Sequence, residues 1–283
     1  MNNHCNFISW NCLSFYPHHY KDIIENNDIE ERLIKNKDRY QFEIQKLEPY
    51  LEKLNTNEIS IICLQEVDPL LLTLLETCLS KYKNIKTSPN KYPYVWFNDK
   101  YCYYLVTLFH KQEVSPFPQI KYSLGNRFRT IKLKRITIIN THLNWLPDNA
   151  SKGNIDKMKN VLNCIKKTIT KCMKERKVPV VILGDLNLSS IVNAKMYKKI
   201  FKTMNIYPLG ESYNLRSSDG KTFGDLECHQ DDGIIISKKL KLSVDYEKLS
   251  DYKLPIKKNK DFCKMYQTRY PSDHALIEGK IYL

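Results

Sequence analysis

The sequence predicts a layered α/β domain. Short apolar runs rich in β-branched residues recur along its 283 residues, and segments of helical periodicity lie between several of them. Residues able to do acid, amide or imidazole chemistry fall at the ends of those runs.

Phe7 to Trp10 and Ile59 to Leu64 read as buried strands. Between them, Arg39 to Leu54 places Phe42, Ile44, Leu47, Tyr50, Leu51 and Leu54 near one helical face. Pro69 to Tyr82 is a second helical pattern. Ile136 to Ile139 and Val178 to Leu183 are the next strands, separated by the helical segment Ile155 to Met173. Gly233 to Ile236 and Ala275 to Leu283 complete the set. Lys111 to Asn126 and Leu209 to Cys228 read as loops or hairpins, and Lys238 to Lys264 as a lysine-rich exposed excursion. With no internal repeat and no low-complexity linker, one domain over residues 1–283 is expected.

A hydrophobic content of 42% supports a sizeable core. No stretch approaches the roughly 20 apolar residues that span a bilayer, and MNNHCNFISW lacks a basic segment followed by an apolar one. A cytoplasmic or nuclear protein, neither secreted nor membrane-bound, is expected. The nine cysteines contain no C-x-x-C pair, which fits reduced thiols and speaks against a zinc site. A formal charge of +14 favours a polyanionic partner such as nucleic acid. That push is weak, because only eight of the 45 basic residues are Arg and the richness in Asn, Ile and Tyr matches an AT-rich genome. His18-His19 and Cys228-His229 lack a matching second pair and read as loop residues.

The positions of the polar residues carry more. Trp10 is followed by Asn11, IICL by Gln65-Glu66, ITIIN by Thr141-His142, and VVIL by Gly184-Asp185-Leu186-Asn187. Ligands of open α/β sheets bind beyond strand carboxyl ends, so these side chains are placed to meet in one crevice. Asp231-Asp232 and Asp273-His274 instead precede their strands. They reach the same end if those strands run antiparallel to the others. Hydrolysing a phosphodiester needs a hard cation, an oriented water and donors for developing charge. Carboxylates without a cluster of Cys or His suit Mg²⁺ or Mn²⁺ rather than zinc.

SWN at Ser9 to Asn11, LQEVD at Leu64 to Asp68, NTHLNW at Asn140 to Trp145, GDLN at Gly184 to Asn187, DDG at Asp231 to Gly233 and PSDHALI at Pro271 to Ile277 occur in this order. The series resembles the endonuclease/exonuclease/phosphatase superfamily over nearly the whole chain. The resemblance implies a four-layer α/β sandwich, two packed mixed β-sheets flanked by helices. It implies that Glu66 binds the metal, with Asp273 a second ligand or outer contact. Asp185 orients or deprotonates the attacking water, and Asn187 and Asn11 position phosphate and water. His142 and His274 donate to phosphate oxygens, and Asp232 holds the imidazole of His274.

NTHLNWLP, LQEVD and the segment KDRYQFEIQKLEPYLEK at Lys37 to Lys53 further resemble the branch of deadenylases, Angel, nocturnin and the 2′,5′-phosphodiesterase. On that likeness Trp145 and Pro147 lie beside a pocket for a terminal base and Phe223 stacks on it; the plainer alternative is that Trp145 and Phe223 are core or rim aromatics, and for Phe223 the two readings weigh equally. Departures from the pattern are Tyr103-Tyr104-Leu105 in place of small residues, Gly233 where an aromatic normally follows the Asp, and Leu188-Ser189 in place of Ser and Pro.

The leading expectation is a Mg²⁺- or Mn²⁺-dependent phosphodiesterase acting on single-stranded RNA or oligoadenylate. The same site would serve an abasic-DNA endonuclease, a phosphatase of a phosphorylated dinucleotide, or a phosphoinositide or sphingomyelin hydrolase. An inert basic nucleic-acid-binding protein ranks lower, since none of the eight polar positions is replaced by an apolar or small residue.

Overall fold

A computed structural model describes residues 4–12, 29–93, 102–114, 127–210, 212–214, 227–246 and 274–283. The chain opens with β1 (His4–Asn11), α1 (Ile29–Asn55), β2 (Ile61–Val67), α2 (Pro69–Leu79), β3 (Ile85–Pro93) and β4 (Cys102–His110). There follow β5 (Phe128–Lys132), β6 (Thr137–His142), α3 (Lys152–Arg176), β7 (Val180–Asp185), α4 (Ile191–Ile200) and β8 (Met204–Pro208). The last strands are β9 (Ser212–Asn214), β10 (Glu227–His229), β11 (Asp232–Ser237), β12 (Lys241–Tyr246) and β13 (Ile277–Tyr282).

One sheet has the order β12-β13-β1-β2-β4-β3 and the other β5-β6-β7-β11-β8, while β9 and β10 form a separate antiparallel pair. β1 and β2 are parallel and bracket α1, and β6 and β7 are parallel and bracket α3. Every other neighbouring pair is antiparallel. Without β12, the first sheet thus repeats the order and strand directions of the second. The expected lack of a repeat holds for the sequence but not for the topology. Matching apolar patterns suffice to bury a duplicated framework, and many unrelated sequences satisfy the same pattern.

Successive residues of the central strands point to opposite, equally buried faces, which is why these strands read as continuous apolar runs. On one face Ile8, Ile62 and Leu64 meet Leu47 and Leu51 of α1 and Leu71 and Leu75 of α2. On the other, Phe7, Ile61 and Cys63 join Ile138, Val181, Leu183 and Ile234 in the core between the sheets. Ile139, Ile182 and Ile235 then pack with Leu162 and Ile165 of α3 and Tyr197 of α4. The layers run helix, sheet, sheet, helix. Among the described residues no helix is long and apolar enough to cross a membrane.

The helices have caps legible in their sequences. The Asp68 side chain accepts from the amide of Leu70 ahead of Pro69, and the Ser151 hydroxyl accepts from that of Asn154. α3 stops at Lys177, which is left-handed with φ 56°. One expectation needs correcting. The first part of the lysine-rich segment Lys238 to Lys264 is an edge strand, β12, rather than an excursion. Its exposed Lys241, Ser243 and Asp245 alternate with Leu242 and Val244, which pack onto the core. The remainder lies outside the described residues.

Polar groups fix how the sheets sit on each other. Gln65 Nε2 donates to Asn140 Oδ1 at 2.8 Å, and Asn140 Nδ2 reaches the carbonyls of Leu64 and Val106, each at 3.2 Å. Both side chains are fully buried. Asn140→Leu strips partners from buried carbonyls and from Gln65, so it is expected to cost about 3 kcal/mol, read as a lower urea midpoint. Gly184 presents a backbone constraint. Its φ is +136°, and a Cβ there would lie 2.1 Å from the carbonyl oxygen of Thr141. Gly184→Ala should therefore destabilise the domain by about 3 kcal/mol or more, measurable in the same titration.

Candidate active site

The two parallel strand pairs end at one place. Asn11 lies beside Gln65 in the β1/β2 register, and His142 beside Asp185 in the β6/β7 register. In the duplicated topology Asn11 and Gln65 thus correspond to His142 and Asp185, and Glu66 stands one residue further on. β11 runs antiparallel to β7 and sets Asp232 opposite Asp185, while β13 runs antiparallel to β1 and places His274 just before its start.

Regular alternation would turn Glu66 towards the helical layer, the side taken by Leu64. Instead the β2/β4 register shifts between Leu64 and Val67, and Glu66 has φ 52°. This bulge re-aims its carboxylate. Asn187 also has a positive φ, 51°, in the turn after β7. Its backbone N–H donates to Asp185 Oδ1 at 2.9 Å, and its side-chain amide donates to the carbonyl of Leu143 at 2.6 Å.

Asn11 is the hub. Its Nδ2 donates to Glu66 Oε1 at 3.1 Å and to Asp185 Oδ2 at 3.0 Å, and stands 3.4 Å from His274 Nε2. His142 Nε2 lies 3.5 Å from Glu66 Oε1 and 3.5 Å from Asp185 Oδ2. Glu66, His142 and Asp185 each offer a ligand atom, all within 4.8 Å of one another. On the far side, His274 Nδ1 lies 2.7 Å from Asp232 Oδ2. Asp231 faces elsewhere: it takes the Ser189 hydroxyl and amide on its side chain and the amides of Leu186 and Leu188 on its carbonyl. The two consecutive aspartates are therefore divided between the histidine and the loop after β7.

Burial raises the proton affinity of Glu66. It raises that of Asp185 well above the ordinary carboxylate range, with Asp232, Asp231 and Glu66 adding in the same direction. Burial, then Arg127 and His274, hold His142 well below the usual imidazole range, so it is neutral. Two buried carboxylates this close are costly without a cation. A hard divalent ion fits the donor set, because it would convert their repulsion into coordination.

Trp145 and Pro147 lie in the loop after β6. Trp145 is 38% exposed and Pro147 half-buried. The loop is latched to the site by Asn187 at Leu143 and by Asn193, whose amide donates to the carbonyl of Asn144 at 2.9 Å. Sequence reasoning missed Asn193, and gave no role to Gln65 and Asn140, which it met only as parts of motifs. The signal for the last two was a polar residue inside an otherwise apolar strand. Asp273 and Phe223 lie outside the described residues.

Two of the motif departures turn out to be coupled. A Cβ at Gly233 would come within 2.5 Å of Leu188 Cδ1 and 2.8 Å of Leu186 Cδ1. Leu188 occupies the space into which a larger residue at 233 would project. In β4, Tyr103 and Leu105 are buried and Tyr104 is half-buried.

No protein-family model and no curated protein matches the chain. Solved structures do. TDP2 from D. rerio, complexed with single strand DNA product, is 14% identical with a TM-score of 0.56 and 100% of both chains covered. An endonuclease/exonuclease/phosphatase from Bacteroides vulgatus is 15% identical with a TM-score of 0.55 and 99% of both chains covered. The human nocturnin catalytic domain with bound sulfate is 17% identical with a TM-score of 0.51, over 99% of this chain and 95% of that one. What is common at such identities is architecture, two mixed sheets packed between helical layers. The chain has the fold of the endonuclease/exonuclease/phosphatase superfamily.

Proposed function

We propose that this chain is a divalent-metal-dependent phosphodiesterase that cleaves single-stranded nucleic acid by attack of water, with RNA or oligoadenylate ends as its substrate. The observation that carries this reading is the convergence on Asn11, whose one amide lies within hydrogen-bond reach of Glu66, Asp185 and His274.

Glu66 would be the principal metal ligand and Asp273 a second or outer one, while His142 and Asp185, whose ligand atoms lie within 4.8 Å of that of Glu66, act on phosphate and water. Bound there, Mg²⁺ or Mn²⁺ supplies charge neutralisation at the phosphate. Asp185 is fixed through both oxygens, by Asn187 N–H on Oδ1 and Asn11 Nδ2 on Oδ2. A carboxylate so oriented, with raised proton affinity, is suited to take a proton from the attacking water. Neutral His142 retains one N–H to give to a phosphate oxygen. His274, with Nδ1 held by Asp232, presents Nε2 towards the same point. Asn11 and the remaining amide hydrogen and Oδ1 of Asn187 position phosphate and water. Exposed Trp145, with Pro147, offers a face for a terminal base.

A second reading, single-stranded DNA, draws on the likeness to TDP2 complexed with single strand DNA product. Purified protein with Mg²⁺ or Mn²⁺ should be offered single-stranded RNA with an oligoadenylate end, mixed single-stranded RNA and DNA, 2′,5′-oligoadenylate, abasic duplex DNA and phosphorylated dinucleotides. The RNA substrates should be cleaved fastest, releasing 5′-nucleotides. Activity confined to the abasic duplex would overturn the substrate reading, and none on any substrate would overturn the enzymatic one.

A further inference from the structure

The chain's positive charge is distributed unevenly between its two helical layers. α3 and α4 carry eleven basic residues against two acidic ones, whereas α1 and α2 carry six against seven. A compositional preference for lysine would load both layers alike. The layer over the second sheet instead holds a net +9 of the chain's +14.

α3 concentrates this charge on one side. Met158, Leu162, Ile165, Ile169 and Cys172 face the sheet. Lys159, Lys166, Lys167, Lys171 and Lys174 are exposed. The two acids of the layer are engaged locally, Asp156 with Lys159 at 3.2 Å and Glu175 with Lys171 at 3.8 Å. Beside the last turns of α3 an apolar groove of about 460 Å³ is lined by Met173, Pro179, Ile200 and Met204, with exposed Lys166 and Lys177 on its border. Met173 is 50% exposed. Alternating phosphates and bases match such a surface, since lysines take the former and apolar contact the latter.

The place of α3 gives this face a direction. The helix starts shortly after the Trp145 loop, at the end of the sheet where His142 and Asp185 lie. It then runs about 37 Å at the usual helical rise towards the opposite end, where β7 begins.

We propose that the outer face of α3, continued by the groove against α4, is a secondary docking track for the body of a single-stranded nucleic acid whose end lies in the active site. This rests on the phosphodiesterase reading above. It predicts preference for long over short substrates through KM, with kcat unaffected.

The test compares wild type with Lys166→Glu/Lys167→Glu/Lys171→Glu/Lys174→Glu, exposed positions whose folding is checked by Tm. Binding of a labelled single-stranded RNA of about 20 nucleotides is followed by anisotropy over roughly 50 to 200 mM salt. Affinity should fall by about tenfold or more, and the slope of log affinity against log salt should lessen by about 3, as four lost contacts to a single strand require. Hydrolysis of a small phosphodiester such as bis(p-nitrophenyl) phosphate should be unchanged. Equal affinity and slope in the two proteins would overturn the track, as would loss of binding to anionic phospholipid vesicles with RNA binding retained. Lysine-dependent RNA binding in a wild type that cleaves no nucleic acid would overturn the function reading while sparing the track.

Discussion

Glu66→Gln should lower metal-dependent hydrolysis by at least about 10³-fold while leaving the metal-free fold as stable as wild type or more so. Asp185→Asn should behave alike. The two effects have one cause. Both carboxyls bind protons more tightly in the folded protein than in the unfolded chain. Their contribution to stability is therefore complete below the ordinary carboxylate pKa and is lost as pH rises through the folded values. His142 acts with the opposite sign: its folded value is depressed, so its contribution is present above the ordinary imidazole value and is lost as pH falls. As pH rises towards mildly alkaline values the metal-free wild type bears more of the cost of the two carboxylates. Mg²⁺ should then raise Tm by more at pH about 8 than at pH about 6, because ligands must be deprotonated to coordinate. Glu66→Gln removes one of those charges, and should give a metal-free Tm at the higher pH no lower than wild type and a much reduced response to Mg²⁺. Differential scanning calorimetry with and without metal reads both.

Asp232→Asn should lower kcat by about 10²- to 10⁴-fold with little change in KM. The imidazole of His274 stands 2.7 Å from the Asp232 carboxylate and 3.4 Å from the Asn11 amide. An asparagine offers an N–H as readily as an oxygen to Nδ1, so the ring loses the partner that fixes which nitrogen carries the proton. If Asp232 acts through the ring, Asp232→Asn/His274→Ala should be no slower than His274→Ala alone. Fully additive losses would separate the two residues.

Much of this arrangement could be read without coordinates because apolar strands mark their own ends. Asn11, Glu66, His142 and Asp185 follow runs such as IICL and VVIL, and parallel strands buried on both faces produce such runs. The antiparallel entry of Asp232 and His274 was likewise legible, since Asp232 opens its strand and His274 precedes its own. What could not be read depends on contacts between distant segments. β12 looked like a charged loop because its lysine-bearing face is exposed and only Leu242 and Val244 face the core. The Gln65–Asn140 bond joins residues 75 positions apart, and the bulge that aims Glu66 depends on its pairing with β4. The exclusion of a side chain at Gly233 by Leu188 likewise arises only once β11 lies beside β7.

The most direct test of the metal centre is cleavage of single-stranded RNA by wild type and Glu66→Gln in EDTA and after return of Mg²⁺ or Mn²⁺. Cleavage by wild type only, lost in EDTA and restored by either ion, is the predicted result. Undiminished cleavage in EDTA, or by Glu66→Gln with metal present, would contradict it.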